Sequence, residues 1–104
     1  MNKESIKLAI HHKIKQHSIY EPIYSKDLES MFAISGVAIR EAVHTLRSED
    51  NIPICSGKDG YFYPQNKTEA YHTINQLKSR AKQCFEAAKG IEEHYIKDNQ
   101  TTLL

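Results

Sequence analysis

A helical pattern runs directly into two strand-like runs within "ISGVAIREAVHTLRSEDNIPICSGKDGYFYP". Ile39, Val43 and Leu46 recur at i, i+4 and i+7, the spacing of one helix face, and belong in a core. Ile52 to Cys55 and Tyr61 to Tyr63 are β-branched or aromatic in the main and read as strands. Ser56 to Gly60, "SGKDG", joins them. Its two glycines permit the positive φ angles that a tight hairpin loop requires. Pro53 has no N–H for a ladder, so its strand is expected at an edge or bonded on one side only, and Pro64 stops the second strand. Any fold for this chain must therefore seat a small hairpin immediately behind a helix.

The flanks extend the pattern. In residues 2 to 17, Ile6, Ile10 and Ile14 form a stripe flanked by Leu8 and Ala9, with Lys3, Lys7, Lys13 and Lys15 mostly off it. "SIYEPIY" cannot continue that helix and suits a short extended strand at Ile23 and Tyr24. Ser25 is placed to cap a second helix, with Asp27 and Glu29 in its first turn and Leu28, Met31 and Phe32 on its apolar face. "AISG" interrupts it, and Ser35 caps a third helix running through Arg47.

After "PQN", residues Ala70, Ile74, Leu77, Ala81, Cys84, Ala88, Ile91 and Tyr95 follow a 4-3 spacing, a heptad seam on a long helix. Tyr71 and Phe85 fall beside it and widen the stripe. Gly90 either lies inside this helix or ends it early. The expected fold class is mainly α with a small β-hairpin. The element order is that of a winged helix-turn-helix domain at residues 1–65, then a C-terminal helix at 66–98 and a frayed tail at 99–104.

The stretch "IREAVHTLRSEDNIPICSGKDGYFYP" also resembles small winged-helix proteins of bacteriophages and mobile genetic elements. The shared features are an I-R-x-x-V-x-x-L-R run, an "IPICS" strand and a glycine-aromatic strand, and the likeness covers about residues 20 to 90. It implies the winged-helix fold and a DNA-binding role in transcription or replication.

On that plan the third helix enters the major groove of double-stranded DNA. Ser35, Gly36, Val37, Arg40, Glu41 and His44 lead it. Gly36 would let the backbone approach a phosphate, Val37 would touch a thymine methyl, and Arg40 would pair with guanine. Arg47 suits a phosphate, and so does Lys58 at the hairpin tip. Glu41 either reads a cytosine amino group or repels the backbone. Gly36, Arg40, Arg47 and Lys58 together would make an electropositive strip. It would have to arise by segregation, because 14 basic against 13 acidic residues leave a net charge of only +1.

Two other readings stand beside this one. The near-neutral charge, with Glu41, Glu49, Asp50 and Asp59 nearby, fits a module that binds or inhibits a host protein. Tyr61 and Tyr63 could stack on unpaired bases of single-stranded DNA. In all three, Ile74, Leu77, Ala81, Cys84, Ala88, Ile91 and Tyr95 are expected to form a homodimer seam.

His11, His12 and His17 lie close in sequence, but adjacent helical residues diverge by about 100° and no cysteine is near, so no metal site is expected. Cys55 and Cys84 lack an orienting third residue for nucleophilic catalysis. No phosphate-cradling glycine loop or paired carboxylate motif occurs, so neither an enzyme nor a cofactor is expected. Two separated cysteines, the lack of a signal-like apolar core in "MNKESIKLAI", and the lack of a membrane-length apolar run point to a reduced cytoplasmic protein.

Overall fold

A computed structural model describes residues 2–103, with side chains described through Ile96. The chain comprises α1 (Lys3–Lys15), α2 (Ser25–Phe32), α3 (Gly36–Ser48), β1 (Cys55–Gly57), β2 (Gly60–Phe62) and α4 (Lys67–Leu103). It is mainly helical, with one antiparallel hairpin and a long C-terminal helix, as the periodicity implied. It divides into two compact units, Met1–Thr73 and Ile74–Leu104. No helix among the described residues is long and apolar enough to cross a membrane.

In the first unit, α1 and α2 both pack on α3. Ile10, Ile14, Ile23, Leu28, Ile39, Val43, Leu46 and Ile54 are buried together. Burying each such side chain contributes about 1.5–3 kcal/mol. Ile6, Phe32, Ile34, Ala42, Ile52 and Tyr61 close the edges of this core. The i, i+4, i+7 stripe of α3 therefore faces inward as its spacing required. On α1 only Ile10 and Ile14 of the stripe are fully buried, and Ile6 sits at the rim.

The helix ends show which polar residues are already in use. Asn2 Oδ1 accepts from the Ser5 N–H at 2.8 Å, and Ser35 Oγ accepts from the Ala38 N–H at 3.2 Å. Ser25 does not cap α2. Extended Tyr24 holds the cap position without a side-chain bond, and Ser25 is the first helical residue. The Ser25 hydroxyl instead donates to Glu29 Oε2 at 3.2 Å, one helical turn on. The "AISG" break is a left-handed residue, Ala33 with φ 53°.

The hairpin is displaced from its expected bounds. Its first strand begins at Cys55 and not at Ile52, because Pro53 has no N–H and the Ile54 N–H turns back to the Ile52 carbonyl at 2.8 Å. Tyr63 lies beyond β2, its N–H donating to the His17 carbonyl at 2.9 Å. Cys55, Ser56 and Gly57 pair with Phe62, Tyr61 and Gly60, so the loop is only Lys58 and Asp59. Of the short strand expected at Ile23 and Tyr24, Ile23 alone pairs, exchanging both backbone hydrogen bonds with Tyr61 at 2.9 and 2.8 Å.

That pairing fixes Gly60. Its φ is +123°, and a Cβ there would lie 2.7 Å from the Ile23 carbonyl carbon and closer still to its oxygen. Buried Thr73, in the second turn of α4, holds the other strand. Its Oγ1 accepts from the Ser56 N–H and donates to the Ser56 carbonyl, both at 3.3 Å.

In the second unit, α4 continues through Gly90 and past the expected end at 98. The tail expected to fray from 99 is helical as far as Leu103, and Leu104 lies outside the described residues. Among the seam residues Ile74 is half-buried, while Leu77, Ala81, Cys84, Ala88, Ile91 and Tyr95 are exposed. Phe85, beside the seam, is 78% exposed.

Candidate nucleic-acid interface

The exposed side of α3 follows from its buried side. With Ile39, Val43 and Leu46 inward, Val37, Arg40, Glu41 and His44 are turned outward and are exposed. Together with Thr45 they line one shallow depression. Val37, Glu41 and His44 lie at i, i+4 and i+7, so the helix repeat that builds the core also builds this face. Thr45, four residues past Glu41, belongs to it as well. Thr45 is not among the expected site residues, although the same spacing marks it.

Arg40 is exposed and makes no hydrogen bond or ion pair among the described residues. It emerges beside the first turn of α3, where its Nη1 would lie 3.5 Å from a Cβ at Gly36. The Glu29 carboxylate reaches the same place, its Oε2 3.3 Å from that Cβ. Gly36 is thus flanked by a guanidinium and a carboxylate, and the positive end of α3 already has an anion close by. Glu29, expected in the first turn of α2, lies one turn further in, because the helix begins at Ser25 itself. The left-handed turn at Ala33 returns the chain so that this carboxylate meets the start of α3. Ser35 lends its hydroxyl oxygen to the cap and is exposed.

Arg47 departs from its expected role. Its Nε donates to the Ile54 carbonyl at 2.8 Å and its Nη2 to Ser56 Oγ at 3.1 Å. The side chain bridges α3 to β1. The physical reason lies in Pro53: the chain turns at Ile52–Ile54 before pairing begins, so the Ile54 carbonyl needs a donor from outside the ladder. Lys58 stays exposed at the hairpin tip beside exposed Asp59. The four-residue electropositive strip is accordingly not formed as expected, since Arg47 is committed elsewhere.

The tyrosines are less open than base stacking needs. Tyr61 packs against the core. Tyr63 is half-buried, lies near-parallel to the His11 ring at 6.2 Å, and has Lys15 Nζ 5.8 Å from its centroid. On α1, Lys7 is drawn into ion pairs with Glu4 at 3.2 Å and Asp50 at 3.0 Å.

His11 carries a pH signature. Its Nε2 is buried without a hydrogen-bond partner. Burial, aided by the Lys15 charge, pushes its pKa below the ordinary 6.5, while Asp50 opposes the shift. A depressed histidine contributes stability that is present above its unfolded pKa and is lost as the pH falls through that value toward the folded one. Denaturant midpoints should therefore fall on going from pH 7.5 to 5.5, and His11→Phe, which keeps a ring against Tyr63, should flatten that dependence. An unchanged slope in the variant would contradict this assignment.

No cluster of three or more His, Cys, Asp or Glu side chains able to hold a metal ion occurs among the described residues. Burial raises the pKa of the Cys55 thiol, which keeps it protonated and a poor nucleophile. No family model, no curated protein and no solved structure matches this chain.

Proposed function

We propose that the protein is a sequence-specific double-stranded DNA-binding protein of the winged helix-turn-helix kind. The exposed face of α3 would enter the major groove, and the protein would act as a homodimer through α4. The observation that carries this reading is Arg40. It is an exposed guanidinium with no protein partner, at the head of a helix whose opposite face is locked in the core. Arg40 reads guanine, Val37 supplies an apolar contact to a thymine methyl, and Lys58 contacts a phosphate. A cytoplasmic regulator of transcription, or a replication accessory of a phage or mobile element, fits this reading.

The electrostatic share of binding is small in this scheme. With Arg47 engaged in the fold and Glu29 beside Gly36, few cations are left to displace counterions. Affinity should fall with salt with a log–log slope of about −2 to −3. Selection from a random duplex pool, repeated at two salt concentrations, tests this. A recovered consensus whose binding Arg40→Ala weakens by about ten- to a hundredfold supports the reading. Recovery of no consensus at low salt contradicts it.

One observation favours a second reading. The carboxylates of Glu29 and Glu41 lie on or beside the same face as Arg40, a mixed-charge surface better suited to a protein than to a phosphate backbone. In this reading α3 docks on a host protein and Arg40 pairs with a carboxylate there.

A further inference from the structure

We propose that α4, from Leu77 to Tyr95, pairs with a second copy of itself in antiparallel orientation, in the register that sets Lys78 against Glu92 of the second copy. This rests on the homodimer reading above and adds its orientation and register. The helix provides the surface: every side chain from Asn75 to Ile96 is exposed, including the large apolar groups Phe85, Ile91 and Tyr95. A stripe of this kind in water calls for a cover.

The charge pattern decides which cover fits. Lys78, Arg80 and Lys82 gather toward the start of the exposed stretch, and Glu92 and Glu93 toward its end. A parallel copy lays like charge beside like. Its flanking contacts pair Arg80 with Phe85 and Ala87 with Glu92, with no opposite charges matched. An antiparallel copy reverses one chain. Lys78 and Glu92 occupy equivalent flanking positions two heptads apart, so each then faces the other twice across the dimer.

Packing agrees with charge. In a parallel pair Ala81, Cys84 and Ala88 each meet their own copy, giving three thin layers in succession between bulky ends. The antiparallel register gives graded layers instead: Leu77 with Tyr95, Ala81 with Ile91, and Cys84 with Ala88, each occurring twice. Phe85 then meets Phe85 of the second copy beside the two thin central layers and covers them. Sliding by one heptad in either direction sets Phe85 against Lys78 or against Glu92, and the charge match is lost.

Two measurements on the full chain test this. In sedimentation equilibrium, Lys78→Glu and Glu92→Lys should each weaken self-association by about tenfold or more, and the double variant should recover to within about threefold of the parent. A spin label on Asn75→Cys, with Cys84→Ala, should report Cα positions about 33 Å apart along the helix axis. A separation near 10 Å, the interhelical distance of a parallel pair, overturns the orientation alone. Charge reversals that do not rescue one another overturn the register. A monomer throughout the micromolar range overturns the homodimer reading with it. Neither readout involves DNA, so each result is separate from the fate of the α3 assignment.

Discussion

Gly60→Ala is expected to lower the stability of the protein by about 3 kcal/mol, through a positive-φ penalty and a steric one acting together. At φ +123° an alanine is strained wherever its side chain points, and its Cβ would press on backbone, the Ile23 carbonyl and the Tyr24 nitrogen. Backbone cannot rotate aside as a side-chain tip can. Relief would require breaking the Ile23–Tyr61 pairing, which ties the α1–α2 connection to the hairpin. Thermal unfolding followed by circular dichroism should show a midpoint lowered by about 15 °C. Gly57→Ala supplies the contrast: nothing lies within 4 Å of a Cβ there, and its φ is ordinary. Equal losses at the two glycines would mean that close approach to Ile23 is not what Gly60 serves.

Arg47→Ala is the second large effect, about 2 kcal/mol of stability, because it removes two charge-assisted hydrogen bonds and leaves the Ile54 carbonyl without its donor. Arg47→Lys should recover only part of this, since an ammonium cannot reproduce the guanidinium's fork. The same variant separates two roles for one residue. A structural Arg47 gives lower unfolding midpoints and, at temperatures where the variant is folded, an unchanged salt slope for DNA binding. A phosphate-contacting Arg47 gives the reverse: intact stability and a slope smaller by about 1.

Arg47 also shows where sequence reasoning stops. Its periodicity placed it off the core stripe correctly, but off-stripe does not mean solvated. The carbonyl it serves is seven residues on and becomes available only because Pro53 delays the strand. Glu29 is the same lesson with opposite sign: an acid one turn into α2 meets the start of α3 only through the left-handed turn at Ala33. Both contacts bridge two elements, and no single-element pattern encodes them.

What lies within one element was legible. The inward stripe of α3, the Ser35 cap, the existence of the hairpin and the long fourth helix follow from spacing and local chemistry. The Ser25 cap failed by a single position, because Ser25 and Tyr24 differ only in where extended backbone gives way to helix. The strand bounds moved because aromatic and β-branched content marks which residues suit a strand, while pairing partners fix where it starts.

The central claim, that the outward face of α3 contacts duplex DNA, is tested most directly by amide chemical-shift mapping during titration with a duplex recovered by selection. Perturbations should concentrate on Ser35 to Thr45 and at Lys58, and should be lost from α3 in Arg40→Ala. Perturbations confined to α1, or a spectrum unmoved by any duplex at low salt, would contradict it.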